Sequence, residues 1–164
     1  MASQSGVDTR LVFVQHSVHI DSPIEAVSAS LAAGPSKWLP RFDGPEHANV
    51  GPQIAGLGFR KKVVIEVGEP LTTGDWIKVP VKWQATFIKR LFPVMAGRVE
   101  LSPVDPYTTR LTVAGMYQPP LGDLGKHLDD ALMHKVAEAT VKELAESIAK
   151  RLQAIASEAG SRPV

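Results

Sequence analysis

The sequence predicts an α+β fold, a run of antiparallel strands followed by one long C-terminal helix that lies against them. Three observations carry this. From about Lys126 to about Glu158 there is neither Pro nor Gly, and Ala, Leu, Glu and Lys dominate, as in a helix interior. Between Arg10 and Gln118 apolar residues recur at every second position in several stretches, the period of a half-buried strand. The two patterns are segregated along the chain, which favours an antiparallel sheet over alternating βαβ units.

The elements follow in order. Residues 1–9 are expected to be a flexible N-terminus. Arg10 to Ile20 reads as a strand, with Val12, Val14, Val18 and Ile20 on one parity and Gln15, Ser17 and His19 on the other. Asp21 to Glu25 reads as a helix start. Ser22 supplies a cap, Pro23 the first helical position, and Glu25 a first-turn carboxylate that the helix dipole favours. The short helix carries Ile24, Val27 and Leu31 until Gly34-Pro35 stops it, and Ser36 to Leu39 predicts one more helical turn before Pro40.

A short strand is expected near Glu46 to Val50 and a stronger one over Leu57 to Val67, followed by a turn from Glu69 to Gly74. Asp75 to Phe87 alternates well, and Pro80 inside it requires an edge position or a bulge. Val94 to Leu101 is a further strand, Pro103 to Thr109 a hairpin connection, and Arg110 to Gln118 the last strand. Pro119 to Gly125 is loop chemistry ahead of the long helix. A single domain spans 10–158, and 159–164 form a flexible C-terminus.

Composition narrows the function. A chain of 164 residues is long enough to bury a real core. A net charge of +1 provides no field for nucleic acid or an anionic membrane. The chain has no cysteine, which excludes disulfides, thiolate metal sites and a Cys nucleophile. The first residues lack the apolar segment of a secretory signal, and no apolar run approaches a membrane span. The expectation is a cytoplasmic protein without stable membrane insertion.

Certain stretches point further. Ser17-Val18-His19-Ile20-Asp21-Ser22-Pro23-Ile24-Glu25-Ala26-Val27 joins a strand to a helix through a capping turn with Pro. Trp38-Leu39-Pro40 closes the short helices, and Tyr117-Gln118-Pro119-Pro120-Leu121-Gly122 leads into the long one. In these residues, and in element order over roughly 10–155, the chain resembles the START-like (SRPBCC) superfamily of pollen allergens, lipid-transfer domains and polyketide cyclases. The resemblance implies a helix-grip fold. This is a curved antiparallel sheet of about six or seven strands wrapped on the long C-terminal helix, with two short helices after the first strand.

The resemblance also implies a cavity between sheet and helix. The chain would then be a binding or carrier protein for a hydrophobic small molecule (a lipid, sterol or polyketide), or alternatively a cyclase/dehydrase using the same cavity. The family's hydroxylases need an iron–sulfur domain that this chain has neither the cysteines nor the length to form, so no cofactor is expected. The expected assembly is a monomer or homodimer.

Strand parity nominates the cavity lining. His16 is the polar residue most clearly placed on an apolar face, suited to acid/base chemistry, to orienting a ligand, or to a hydrogen bond within the core. Val63 and Ile65, then Ile77, Val79 and Trp83, share the inward parity of their strands, as do Val99, Leu101, Val113 and Tyr117. Trp83 and Tyr117 combine a ring face with a polar tip, which serves a ligand or a core equally well. In the cyclase reading His16, Tyr117 and a carboxylate at Asp129 or Asp130 converge on one point.

On the long helix, Val136 to Ile155 carries a wide apolar stripe, and near Met133 the same face becomes more polar toward Asp129, Asp130 and Lys126, so Met133 and Asp129 are expected to line the cavity at its mouth. Leu121, Leu124, Leu128 and Leu132 form a ridge on roughly the opposite side, for packing inside the chain or against a partner. His127, Asp130, His134 and Glu138 stand on one flank at spacings that suit a metal. A solvated charged face is the simpler reading, and no metal is expected.

Overall fold

The computed structural model describes residues 10–40, 47–49, 62–85, 94–119 and 130–161. Its elements are β1 (Val12–Ile20), α1 (Ile24–Leu31), α2 (Pro35–Trp38), β2 (His47–Asn49), β3 (Lys62–Val67), β4 (Leu71–Thr73), β5 (Trp76–Ala85), β6 (Met95–Asp105), β7 (Thr108–Tyr117) and α3 (Asp130–Gly160). The strands described form one antiparallel sheet in the order β1-β7-β6-β5-β3-β2, with β4 paired to β5. This is the α+β architecture the patterns predict, with the first and last strands side by side. The expected termini 1–9 and 162–164, the Pro120–Gly125 loop residues and the leucines 121, 124 and 128 lie outside the described residues.

One face of the sheet is apolar because the alternation stays in phase across the strands. Val14 and Ile20 of β1, Val79 and Val81 of β5, Val99 and Leu101 of β6, and Leu111 and Val113 of β7 are all buried. The opposite parity is more polar and mostly exposed, although Phe13, Trp76 and Met116 also reach solvent on it. There Ser17 and Thr112 share a hydroxyl hydrogen bond of 2.7 Å across β1 and β7, and Glu100 pairs with Lys78 at 3.8 Å and with Arg98.

Helix α3 packs on the inner face along β1 and β7 and also meets α1 and α2. Its buried positions are Met133, Ala137, Val141, Leu144, Ala145, Ile148, Ala149, Leu152 and Ala156, steps of three and four that keep one side of the helix against the sheet. Met133 is the first buried residue of this stripe among the described residues. Small residues at 137, 145, 149 and 156 let the helix approach closely.

Three local expectations are corrected. Ser22 does not cap α1: Pro23 is the N-cap and no side chain caps that end. Ser22 is instead buried, and its carbonyl accepts a 2.8 Å hydrogen bond from Thr109 Oγ1, 87 positions away in the chain. That bond ties the corner after β1 to the start of β7.

The segment from Glu69 to Gly74 is not all turn. Leu71–Thr73 forms β4, in register with Trp76–Lys78, and the reversal falls after it at Gly74, whose φ of 59° favours glycine. Pro80 lies within β5, paired with Arg98 of β6, at the point where pairing on its other side passes from β3 to β4 with a one-residue change of register, an interruption of the kind its presence predicts. Its carbonyl accepts from Gly68 N at 2.8 Å, so the side lacking an N–H faces the interruption between β3 and β4 and breaks no ladder bond. Finally, the β6–β7 connection is shorter than expected. A register shift between Pro103 and Asp105 lets β6 run on to Asp105, and Asp105 Oδ1 accepts from Tyr107 N at 2.8 Å to close the turn.

Two stability effects follow. Leu144→Ala should cost about 2–5 kcal/mol, seen as a lower urea midpoint with an unchanged slope. Thr109→Val should cost about 1 kcal/mol by stranding the Ser22 carbonyl, whereas Ser17→Ala on the wet face should stay within about 0.5 kcal/mol.

Candidate functional site

Antiparallel register arranges the inner face in cross-strand rows. The first row runs Val12, Tyr117, Met95, Trp83 and Ile65. Val12 pairs with Tyr117, Trp83 with Met95 and with Ile65, and the Ala96–Met116 pair continues to Met95 beside Tyr117. The second row is Val14, Gly115, Gly97, Val81 and Val67, and the third His16, Val113, Val99 and Val79. Val18, Leu111, Leu101 and Ile77 form the fourth.

The second row carries two glycines side by side, and neighbouring groups take the space that their side chains would need. The indole of Trp83 leans into it. A Cβ on Gly115 would lie 2.8 Å from Trp83 Cη2 and 3.0 Å from Cζ2, too close for any side chain. A Cβ on Gly97 would lie 2.1 Å from the Ala114 carbonyl oxygen, so that position is closed by the backbone itself. Trp83 is 4% exposed, and its Nε1 finds no hydrogen-bond partner among the described residues. A buried donor left in this state costs roughly 1–3 kcal/mol.

At the first-row end a pocket of about 270 Å³ opens between the start of β1, the end of β7 and the first turns of α3. Val12, Pro119, Ala131 and Met133 give it apolar walls, Tyr117 lines it from the sheet, and Arg10 and His134 supply its polar groups. His134 Nε2 also lies 3.1 Å from Glu138 Oε1 along the helix. A wider, open groove of about 550 Å³ runs along the outside of β1 and α3, past His19, Glu146 and Lys150.

The residues nominated from sequence distribute as follows. Ile65, Ile77, Val79, Trp83, Val99, Leu101, Val113 and Tyr117 are buried and share the inner face through the register above. Val63 holds the matching register position opposite Ala85. His16 is on the same face, half-buried and opposite Val113. Met133 and Tyr117 meet at the pocket. Asp129 and His127 lie outside the described residues.

Convergence of His16 with Tyr117 is not found. They stand two rows apart, four residues along β1, which is about 13 Å. Among the described residues no group of three or more His, Cys, Asp or Glu side chains gathers as for a metal. No helix among them is long and apolar enough to cross a membrane.

Comparison with solved structures identifies the architecture. A START superfamily protein from Mycobacterium smegmatis matches with a TM-score of 0.53 at 16% identity, over 90% of this chain and 98% of that one. The chain has the START-like helix-grip fold. A conserved protein from Geobacillus kaustophilus matches at TM-score 0.54 and 18% identity, over 90% and 97% of the two chains. Norcoclaurine synthase from Thalictrum flavum matches at TM-score 0.56 and 12% identity, over 94% and 99%. No protein-family model matches the chain, and no curated protein matches it in sequence. At these identities the likeness is one of fold, and the START-like frame accounts for the long helix gripped along the sheet's first and last strands.

Sequence reasoning missed Gly97 and Gly115, although a glycine inside a strand is itself a signal of close approach. It also missed Arg10, Ala131 and His134 as pocket residues, because separate segments of the chain bring them together. Gly115→Ala should displace the Trp83 ring, lowering stability by about 1–3 kcal/mol and altering the near-ultraviolet circular dichroism of the indole. An unchanged spectrum and unfolding midpoint would show that the ring does not rest on that glycine.

Proposed function

We propose that the chain binds and carries a hydrophobic small molecule of the lipid, sterol or polyketide kind between the inner face of the sheet and α3. The observation that carries this reading is the pocket at the first-row end, walled by Val12, Tyr117, Pro119, Ala131 and Met133 between the sheet and α3. Such a surface gains about 25 cal/mol per Å² of apolar area withdrawn from water, while a few polar groups set the ligand's orientation. Arg10 and His134 at the pocket, with Trp83 and Tyr117 on the sheet, fill that second role.

His16, Val63 and Asp129 remain proposed cavity residues on the strength of their parity or helix face. A cyclase/dehydrase reading needs groups that move protons at one point. The 13 Å or so between the rows of His16 and Tyr117 favours a carrier.

Native mass spectrometry after incubation with fatty acids, sterols and aromatic polyketides should find one class retained at one molecule per chain. Met133→Trp, which narrows the opening, should weaken that binding about tenfold or more with the unfolding midpoint lowered only modestly. Retention of no class, together with no displacement of a bound anilinonaphthalene dye, would sink the proposal.

A further inference from the structure

The pocket at the first-row end has its polarity graded from base to rim. Tyr117 and Met133 in its walls are buried and Val12 is half-buried. Arg10 and Ala131 are exposed and His134 is partly so. An apolar interior therefore opens on a rim that carries a cation, and no carboxylate is among the residues that line it.

Arg10 is the informative residue. An arginine side chain keeps its charge at every physiological pH and presents parallel N–H groups that match the two oxygens of a carboxylate. Among the described residues the ion pairs engage Lys78, Arg98, His134 and Lys142, and none engages Arg10. Glu138 stands outside the pocket lining. Its Oε1 lies 3.1 Å from His134 Nε2, so its partner is on its own helix.

The open groove along β1 and α3 supplies an internal contrast. Its walls hold Lys150 and Glu146 together, one turn apart on α3, so a cation there has its counter-charge beside it. The pocket at Arg10 has the cation without the counter-charge. A bound anion would supply it, at a rim where water is partly withdrawn and charge attraction is stronger than in bulk solvent.

Size limits the rest of the molecule. A pocket of about 270 Å³ holds roughly nine groups of the ~30 Å³ that a water molecule occupies in the liquid. That encloses a medium-length alkyl chain and is too little to enclose the fused rings of a sterol.

Resting on the binding reading above, we propose that this pocket takes a medium-chain carboxylate, its head on the Arg10 guanidinium beside His134 and its tail between Val12, Tyr117 and Met133. A neutral molecule with the same tail gains the burial without the ion pair. A cationic one meets Arg10 as a like charge.

The test uses the whole chain and two ligands of equal chain length, nonanoate and 1-nonanol, at low ionic strength. Arg10→Gln keeps a donor and removes the charge. It should weaken nonanoate about tenfold, the size of one charge-assisted contact, and leave nonanol within about twofold. The unfolding midpoint should hold, because Arg10 is exposed. Lys150→Gln, in the open groove, should leave both affinities unchanged, and added salt should weaken nonanoate alone. The Met133 methyl resonance should shift with both ligands, placing them in the pocket whatever their head group. Nonanoate binding that Arg10→Gln does not weaken, with the Met133 methyl still shifting, overturns the carboxylate assignment and leaves the apolar pocket standing. Nonanoate binding with no Met133 shift overturns the site. Failure of both ligands to bind, alongside failure of the lipid, sterol and polyketide classes, overturns the pocket reading and this inference with it.

Discussion

The burial of one side of α3 against β1 and β7 is the contact on which the rest of the molecule depends. Among the described elements, α3 touches β1, β7, α1 and α2, so it joins the edge of the sheet to both short helices. Val141, Leu144, Ile148 and Leu152 are almost wholly withdrawn from water, each a burial of roughly 1.5–3 kcal/mol. Alanines between them bring the helix axis close to the strands. Without this contact the apolar parity of β1 and β7 would face solvent, and no inner face would exist to hold anything.

The same face serves two ends along its length. Toward Ile20, Leu111 and Leu101 it is filled by large side chains under α1 and the later turns of α3. Toward Tyr117 and Trp83 the fold withholds side chains instead, placing Gly97 beside Gly115 and laying an aromatic ring over the gap. On the proposed binding reading, packing and recognition fall to different rows of one sheet rather than to different domains.

Parity made much of this legible. Alternation alone assigned Ile65, Ile77, Val79, Trp83, Val99, Leu101, Val113 and Tyr117 to one face, because a period of two leaves no other choice once one face is buried. Helical spacing likewise identified most of the α3 stripe, although it passed over Ala149 and Ala156, whose small side chains carry little hydrophobic signal. What escaped was everything decided by distant partners. Ser22 reads as a cap, yet its carbonyl is claimed by Thr109 from another part of the chain. Leu71–Thr73 is too short to show a period and exists as a strand because β5 offers it a ladder. Gly97 and Gly115 are visible singly, but their adjacency depends on the β6–β7 register, and the pocket depends on the meeting of Arg10, Tyr117 and Met133.

The pairing of the first strand with the last also orders events in time. Ser17 and Thr112 are 95 positions apart in the chain, and α3, which covers β1, follows later still. At ordinary rates of synthesis β1 is made roughly 5–20 seconds before its partner strand. Throughout that interval it is a nine-residue segment, Val12–Ile20, without a charged side chain or a proline to discourage wrong pairing. A topology that closes its sheet last places its most adhesive strand first, and the period of greatest aggregation hazard is set by the distance between two strands that end up as neighbours.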